Sequence, residues 1–188
     1  MYRPCILSYK VDRLPCRDAI EYASCFLEKT YSIIGTGKPD VVEKAIKHVY
    51  SVLEYVLSSG RVSRLAREIT RYIGLGVGST PSFDDYVVGV VIAYNLFSKI
   101  YGLERLVLPL NTVCQRTSYI SCKSIEYALR LDIISTIDKL FIDLLEGVYD
   151  RVASDIVDLV CMGGDSGYYM ARGLLDTIGL FKKVFNNS

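Results

Sequence analysis

Residues 74–85 combine three glycines, three hydroxyl side chains and two adjacent carboxylates just before a long apolar run. Glycine can adopt a positive φ and lets a ligand approach the backbone closely. A glycine-rich turn that leads into a helix presents free N–H groups and the positive end of the helix dipole to an anion. This pattern predicts an anion-binding turn. The residues that we expect to contact the anion are Gly76, Gly78, Ser79, Thr80 and Ser82.

Asp84 and Asp85 close this turn, and their role decides the interpretation. Helix capping could use Ser82 with Asp85 in an arrangement resembling a capping box, or Thr80 with Pro81 at the first helical position. Capping leaves the second aspartate and the alternate glycines unexplained. Mg²⁺ is commonly held by one or two carboxylates together with substrate oxygens. We therefore predict that both aspartates are catalytic residues and ligands of a divalent cation such as Mg²⁺.

A second polar helix start follows at residues 116–121. Thr117 or Ser118 can cap the helix, which places Ser121 in its first turn beside a guanidinium. Hydroxyl groups and an arginine at a positive dipole end suit a carboxylate or a phosphate. Taken alone, this segment is an ordinary cap with an exposed arginine. Taken with the first turn, it adds Arg116, Thr117 and Ser121 to the predicted anion-binding residues.

A third glycine- and hydroxyl-rich turn occupies residues 163–167. Gly163 is placed to end one helix, and Asp165 or Ser166 to cap the next. By itself this is a turn between two helices. As the third such helix start in a short chain, it adds Ser166 to the predicted anion-binding residues.

The elements that position these segments are predicted to be helical almost throughout. Apolar residues recur at i, i+3 and i+4 from residue 16 onward, with breaks at glycine and proline. This spacing places Ile33, Ile34 and Val41 on inward faces. We predict one all-α, compact domain over residues 1–188 with about eight helices. Residues 1–14 are expected to be extended, which allows one short N-terminal strand or hairpin. The helices are expected at about 16–34, 41–57, 62–73, 84–101, 119–131, 134–146, 149–162 and 168–184.

The composition narrows the class of protein. The 188 residues are 51% hydrophobic and 23% charged, which is typical of a compact globule. The net charge of +1 gives no reason to expect nucleic acid as a partner. A basic stripe at residues 61–71 is better explained as a solvated helix face. The longest apolar run is about half the roughly 20 residues that a membrane span needs.

The cysteines and the N-terminus predict a cytoplasmic protein. No apolar signal-peptide segment follows Met1, and the six cysteines lack metal-binding spacing. We expect reduced, mostly buried thiols, with a disulfide between Cys16 and Cys25 as the alternative in a hyperthermophile. One glutamine and four asparagines beside many charged residues fit a heat-adapted source.

The three turns together resemble the motifs of a known helical domain family. That family includes a subunit of the oxamate carbamoyltransferase complex of anaerobic allantoin breakdown. Its members carry G-L-G-x-G-L-T-P-S-G-D-D, then R-T-T-x-x-S, then G-H-x-S-G-x-D-x-x-x-G, and residues 74–85, 116–121 and 163–173 match these in order. The resemblance implies an enzyme, or a subunit of one, that transfers a carbamoyl or acyl group in a reaction involving phosphate.

Departures from the family motifs affect what this resemblance implies. Ser79 stands in place of leucine, Phe83 of glycine, Gly164 of histidine and Tyr169 of aspartate. If that histidine and aspartate serve proton transfer or metal binding in relatives, this chain lacks both. The expected ligand is a small anionic metabolite. A non-catalytic subunit that binds protein partners or copies of itself is the alternative.

Overall fold

The computed structural model describes residues 11–35, 37–132, 135–163 and 165–185, and these form nine helices and no strand. Among them, no helix has both the length and the apolar character to cross a bilayer. The helices are α1 (Arg17–Ile34), α2 (Asp40–Ser59), α3 (Val62–Tyr72), α4 (Ser82–Ser98), α5 (Leu110–Arg116), α6 (Tyr119–Arg130), α7 (Ser135–Glu146), α8 (Tyr149–Val160) and α9 (Ser166–Phe185).

Helix α4 forms the centre of the molecule. Its sequence is apolar on all sides, as expected for a helix that other elements surround, and nearly every residue in it is buried. Helices α2, α6 and α9 pack against it. The buried Asn95 is satisfied because its side chain bonds both the N–H and the C=O of Leu106. The two carboxylates at the start of α4 are therefore held in a rigid, water-excluded element.

Two glycines bring α4 and α9 into backbone contact. A Cβ atom on Gly89 would lie 2.1 Å from the Met170 carbonyl oxygen, and one on Gly173 would lie 2.1 Å from the Tyr86 carbonyl oxygen. Further along, the ring of Phe181 contacts that of Phe97 near the ends of the two helices. The two helices therefore run in the same direction with a register that these glycines impose.

Helix α6 also runs parallel to α4. Ser121 in its first turn bonds Asp84 at the start of α4, and Ala128 lies beside Ile92 further along both helices. Three helix N-termini, those of α4, α6 and α9, consequently meet at one end of the molecule. This convergence brings together the three turns that the sequence marked as polar.

The predicted all-α domain is confirmed, with differences in detail. Helix α5 was not predicted because its seven residues are too few for a periodic pattern and only Val113 among them is buried. Ile33, Ile34 and Val41 are exposed to 81%, 50% and 59%, so their predicted inward position is wrong. These residues flank the turn between α1 and α2. Near the end of α1, the buried side chain is that of Tyr31 instead. The expected N-terminal strand concerns residues 1–14, of which 1–10 lie outside the described residues.

The expectation of reduced, mostly buried thiols is also wrong. Cys114 on α5 and Cys122 on α6 form a disulfide. Cys16, Cys25 and Cys161 are unpaired and exposed, which also excludes the alternative bond between Cys16 and Cys25. The sequence could not indicate this pairing because it depends on the turn between α5 and α6.

Candidate functional site

Asp84 is completely buried and links the first two turns to each other. Its Oδ1 accepts a hydrogen bond from the Gly74 N–H (2.8 Å), and its Oδ2 accepts from the hydroxyls of Thr117 and Ser121, the latter at 2.8 Å. Burial raises the pKa of Asp84, and these three hydrogen bonds act in the opposite direction. The hydroxyls at the start of α6 therefore bind a carboxylate of the chain itself, and their predicted contact with an anionic ligand stays a prediction.

Neither predicted cap forms at the start of α4. Pro81 occupies the N-cap position and makes no side-chain capping bond, whereas Ser82 is the first helical residue. The capping-box arrangement and the placement of Pro81 at the first helical position are both wrong. At the start of α6, by contrast, the Ser118 hydroxyl accepts from the Ser121 N–H (3.1 Å), which is one of the predicted caps. The two aspartates of α4 are thus not explained as caps.

Asp85 connects the first turn to the third. It is 1% exposed and lies beside the hydroxyls of Ser166 and Thr80, whose oxygens are 2.8 Å apart and share one hydrogen bond. Burial raises the pKa of Asp85 to about 7; the two hydroxyls oppose this shift, and the nearby Asp84 and Asp165 carboxylates add to it. Its Oδ2 has no hydrogen-bond partner within the described part of the chain. Asp85 therefore retains one oxygen that can take a proton or a cation.

A surface pocket of about 270 Å³ opens where the first and third turns meet. Thr80 and Ser166, the two hydroxyl residues beside Asp85, both lie in its wall. The described lining residues are Val77, Gly78, Ser79, Thr80 and Ser82 from the first turn, and Gly163, Asp165 and Ser166 from the third. Five of the nine predicted anion-binding residues thus line one pocket, and Asp85 lies beside two of them.

The other four predicted anion-binding residues lie outside this lining. Thr117 and Ser121 are engaged with Asp84. The Arg116 guanidinium donates to the Thr70 carbonyl (2.8 Å) at the end of α3, instead of lying beside Ser121. At Gly76 a Cβ would lie 2.5 Å from the Ser82 nitrogen, so glycine is needed there for the turn to fold against α4.

The bulky replacements in the family motifs do not fill the pocket. Phe83 is fully buried and packs edge-on against the Tyr72 ring. Tyr169 is also fully buried, and its ring lies against those of Tyr31 and Tyr168. Gly164 lies outside the described residues. The two aromatic departures therefore contribute to the core and leave the pocket open.

The pocket is poor in positive charge. Among the described lining residues there is no lysine or arginine, and Asp165 adds a carboxylate whose Oδ1 accepts from the Tyr31 hydroxyl at 2.8 Å. Positive potential at this end comes from the helix N-termini. The described residues contain no group of three or more histidine, cysteine or acidic side chains arranged to hold a metal. The assignment of Mg²⁺ to Asp84 and Asp85 stays a prediction, as do the catalytic roles of both residues.

Sequence reasoning missed part of the lining. Val77, Gly163 and Asp165 were not among the predicted ligand contacts, although Gly163 and Asp165 had been assigned to the helix turn. Their place next to Thr80 follows from the parallel packing of α4 and α9. The basic stripe behaves as the sequence suggested, since Arg71 pairs with Glu68 (3.0 Å) and Arg64 lies over the Tyr55 ring.

Comparison with known proteins identifies the family. Neither a curated protein nor a solved structure matches the chain. A family model described as oxamate carbamoyltransferase subunit AllH matches residues 72–178, which is more than half of the chain and contains all three turns. The chain belongs to the oxamate carbamoyltransferase subunit AllH family.

Proposed function

We propose that this chain is a subunit of a carbamoyl- or acyl-transferring enzyme and that its pocket holds a small anionic metabolite. The observation that carries the proposal is the hydrogen bond between Thr80 and Ser166 in the pocket wall, next to the buried Asp85. The family description names an oxamate carbamoyltransferase subunit, which supports the class of reaction. A cytoplasmic location is part of the same proposal.

Binding would use the polar groups that face the pocket. Carboxylate or phosphate oxygens suit hydroxyl donors and helix N-termini. The Thr80 and Ser166 hydroxyls share one hydrogen bond, which leaves one of their two protons for a ligand oxygen, and Asp85 lies beside both. Fixed dipoles of this kind can also stabilise negative charge that develops on a carbonyl oxygen during group transfer. We therefore assign Thr80 and Ser166 to ligand contact and Asp85 to their positioning.

The charge of the pocket indicates that an anion needs a further positive group. Asp165 lines the pocket and Asp85 lies behind the lining residues Thr80 and Ser166, without a lysine or arginine among the described lining residues. A divalent cation would offset these carboxylates and bridge them to ligand oxygens. The Oδ2 of Asp85 is the carboxylate oxygen free to bind it in the described structure. Asp84 is less suited, because its oxygens already accept three hydrogen bonds.

A non-catalytic subunit is the second candidate, and exposed apolar residues support it. Val77 and Tyr119 are each 77% exposed, and Ile120 is 55% exposed. Val77 belongs to the first turn, and Tyr119 and Ile120 belong to the start of α6. These two segments are in contact because the Ser118 hydroxyl donates a hydrogen bond to the Ser79 carbonyl. Apolar residues grouped in this way are typical of protein interfaces. In this role the carboxylates serve only to hold the turns, and a partner subunit covers the pocket.

A thermal-shift experiment separates the two candidates. Purified protein is heated with Mg²⁺, phosphate, carbamoyl phosphate or a small dicarboxylate, alone and in combination. The metabolite pocket predicts a higher melting temperature with Mg²⁺ and one anion together, because ligand binding stabilises the native state. The variant Ser166→Ala should lose this increase. Its matched control, Ser51→Ala, removes a hydroxyl from the exposed face of α2 and should retain it.

Two results would contradict the metabolite pocket. One is the absence of any increase in melting temperature with every combination of ligands. The other is an equal increase in wild type and Ser166→Ala. A chain that no ligand stabilises, but whose association with an identified partner subunit is lost in Tyr119→Asp, favours the non-catalytic candidate instead.

A further inference from the structure

The disulfide between Cys114 and Cys122 encloses the second polar turn. Its two cysteines are eight positions apart, one on α5 and one on α6, and Arg116, Thr117 and Ser121 lie between them. Neither cysteine belongs to one of the three motifs shared with the family. The bond is therefore a separate chemical feature placed around residues that hold the site together.

The enclosed segment makes contacts on which the first turn depends. Thr117 and Ser121 supply two of the three hydrogen bonds to Asp84. The Ser118 hydroxyl donates to the Ser79 carbonyl, and Ser79 lines the pocket. A Cβ on Gly74 would lie 2.2 Å from the Arg116 carbonyl oxygen, so the two backbones are in direct contact there. Movement of residues 116–121 would thus change the hydrogen bonds of Asp84 and the contact with Ser79 in the pocket wall.

Apart from the contacts of Arg116 with the end of α3 and with Gly74, few contacts hold α5 in place. It has seven residues, of which only Val113 is buried, and α6 is the only helix with which it packs extensively among the described elements. A short helix with one buried side chain has little stability of its own. The disulfide is the covalent tether between this helix and α6.

The bond is also open to attack from solvent. Cys114 is exposed, whereas Cys122 is 5% exposed. We propose that Cys114 and Cys122 form a thiol–disulfide exchange site that controls the order of residues 116–121. This places a modification site around the second turn, which contacts the pocket-lining residue Ser79 through Ser118, and its chemistry does not depend on which ligand the pocket binds.

The exchange is a two-electron reaction with a small or protein thiol as reductant. An external thiolate attacks the Cys114 sulfur, forming a mixed disulfide and releasing the Cys122 thiolate, which takes up a proton. A second external thiol then attacks the mixed disulfide and releases the Cys114 thiol. The two external thiols leave as one disulfide. Oxidation by a small disulfide reverses these steps and restores the link.

Reduction is expected to loosen the segment. Opening a loop of this length lowers stability through the entropy of the unfolded chain, equivalent to a fall in melting temperature of roughly 5–10 °C for a chain of this size. The amide of Ser121, which donates to Ser118, should exchange faster with solvent after reduction. Helix α2, far from this bond along the chain, should exchange at an unchanged rate.

The test combines mass spectrometry, thermal unfolding and hydrogen exchange on the full chain. The protein is treated with oxidised glutathione, alkylated under denaturing conditions and digested to find the peptide that links Cys114 to Cys122. Dithiothreitol should then lower the melting temperature and speed exchange over residues 116–121. Cys114→Ser should show both effects without reductant and no further response. Cys161→Ser, which removes an exposed unpaired thiol, should respond as wild type does.

Three results would overturn the proposal. The linked peptide could be missing after oxidation, the melting temperature and the exchange of residues 116–121 could be unaffected by reduction, or Cys114→Ser could respond to reductant as wild type does. None of these bears on metabolite binding, which is measured with oxidised protein. A failure here is therefore distinguishable from a failure of the proposed pocket.

Discussion

Replacement of Asp85 by asparagine tests the electrostatic description of the site. Asp85 is 1% exposed, and burial raises its pKa from 3.8 to about 7. The folded protein therefore holds a proton that the unfolded chain releases near pH 4. This proton stabilises the fold fully below pH 4, and the stabilisation is lost as the pH rises through 7. The shift corresponds to about 4 kcal/mol in total, of which about 3 kcal/mol disappears between pH 5 and pH 8.

Urea denaturation of wild type and Asp85→Asn at several pH values measures this effect. Other buried carboxyls also titrate, so the informative quantity is the difference in unfolding free energy between the two proteins. This difference should move in favour of the variant by about 3 kcal/mol from pH 5 to pH 8. Asp40→Asn, at a side chain 90% exposed, should follow wild type at every pH.

The amide group introduced by Asp85→Asn also lowers the unfolding free energy. Its NH₂ group takes the place of an oxygen without a partner in the described structure, and an unsatisfied buried donor costs about 1–3 kcal/mol. This cost is the same at every pH and does not alter the slope. A constant difference between wild type and Asp85→Asn from pH 5 to pH 8 would refute the reasoning, because it would mean that Asp85 is ionised throughout this range.

Three further predictions concern the supports of the site. Asp84→Asn should lower the unfolding free energy by about 3 kcal/mol in urea at pH 7, because an amide nitrogen cannot accept the bonds that Asp84 receives. Gly89→Ala should cost more than about 2 kcal/mol through overpacking against the Met170 carbonyl, whereas Gly179→Ala, where the nearest atom is 3.9 Å away, should be neutral or stabilising. Burial raises the pKa of Asp155 to about 6, so this carboxyl contributes a loss of unfolding free energy as the pH rises from 4 to 6. Asp155→Asn should remove that loss in urea denaturation, and a pH profile identical to that of wild type would contradict this.

Much of the architecture could be predicted from local sequence pattern. Apolar spacing and the glycine breaks predicted eight of the nine helices in the described residues, with bounds close to those observed. The pattern was misleading where a helix ends, as at Ile33 and Ile34, because periodicity does not show where the neighbouring helices stop covering a face. The three polar turns were recognised because glycine, hydroxyl and carboxylate residues concentrate at helix starts for local reasons.

What these turns do to one another was decided by tertiary structure. The sequence itself determined that Asp84 and Asp85 begin a buried helix, but they serve different turns because successive helical side chains point about 100° apart. The hydroxyl groups that each aspartate contacts depend on the register of α9 and α6 against α4. Gly89 and Gly173 set the register of α9 against α4 through backbone contact. The pairing of Cys114 with Cys122 likewise depends on how α5 turns into α6. Such relations depend on how the helices pack against one another, and a local pattern carries no information about that packing.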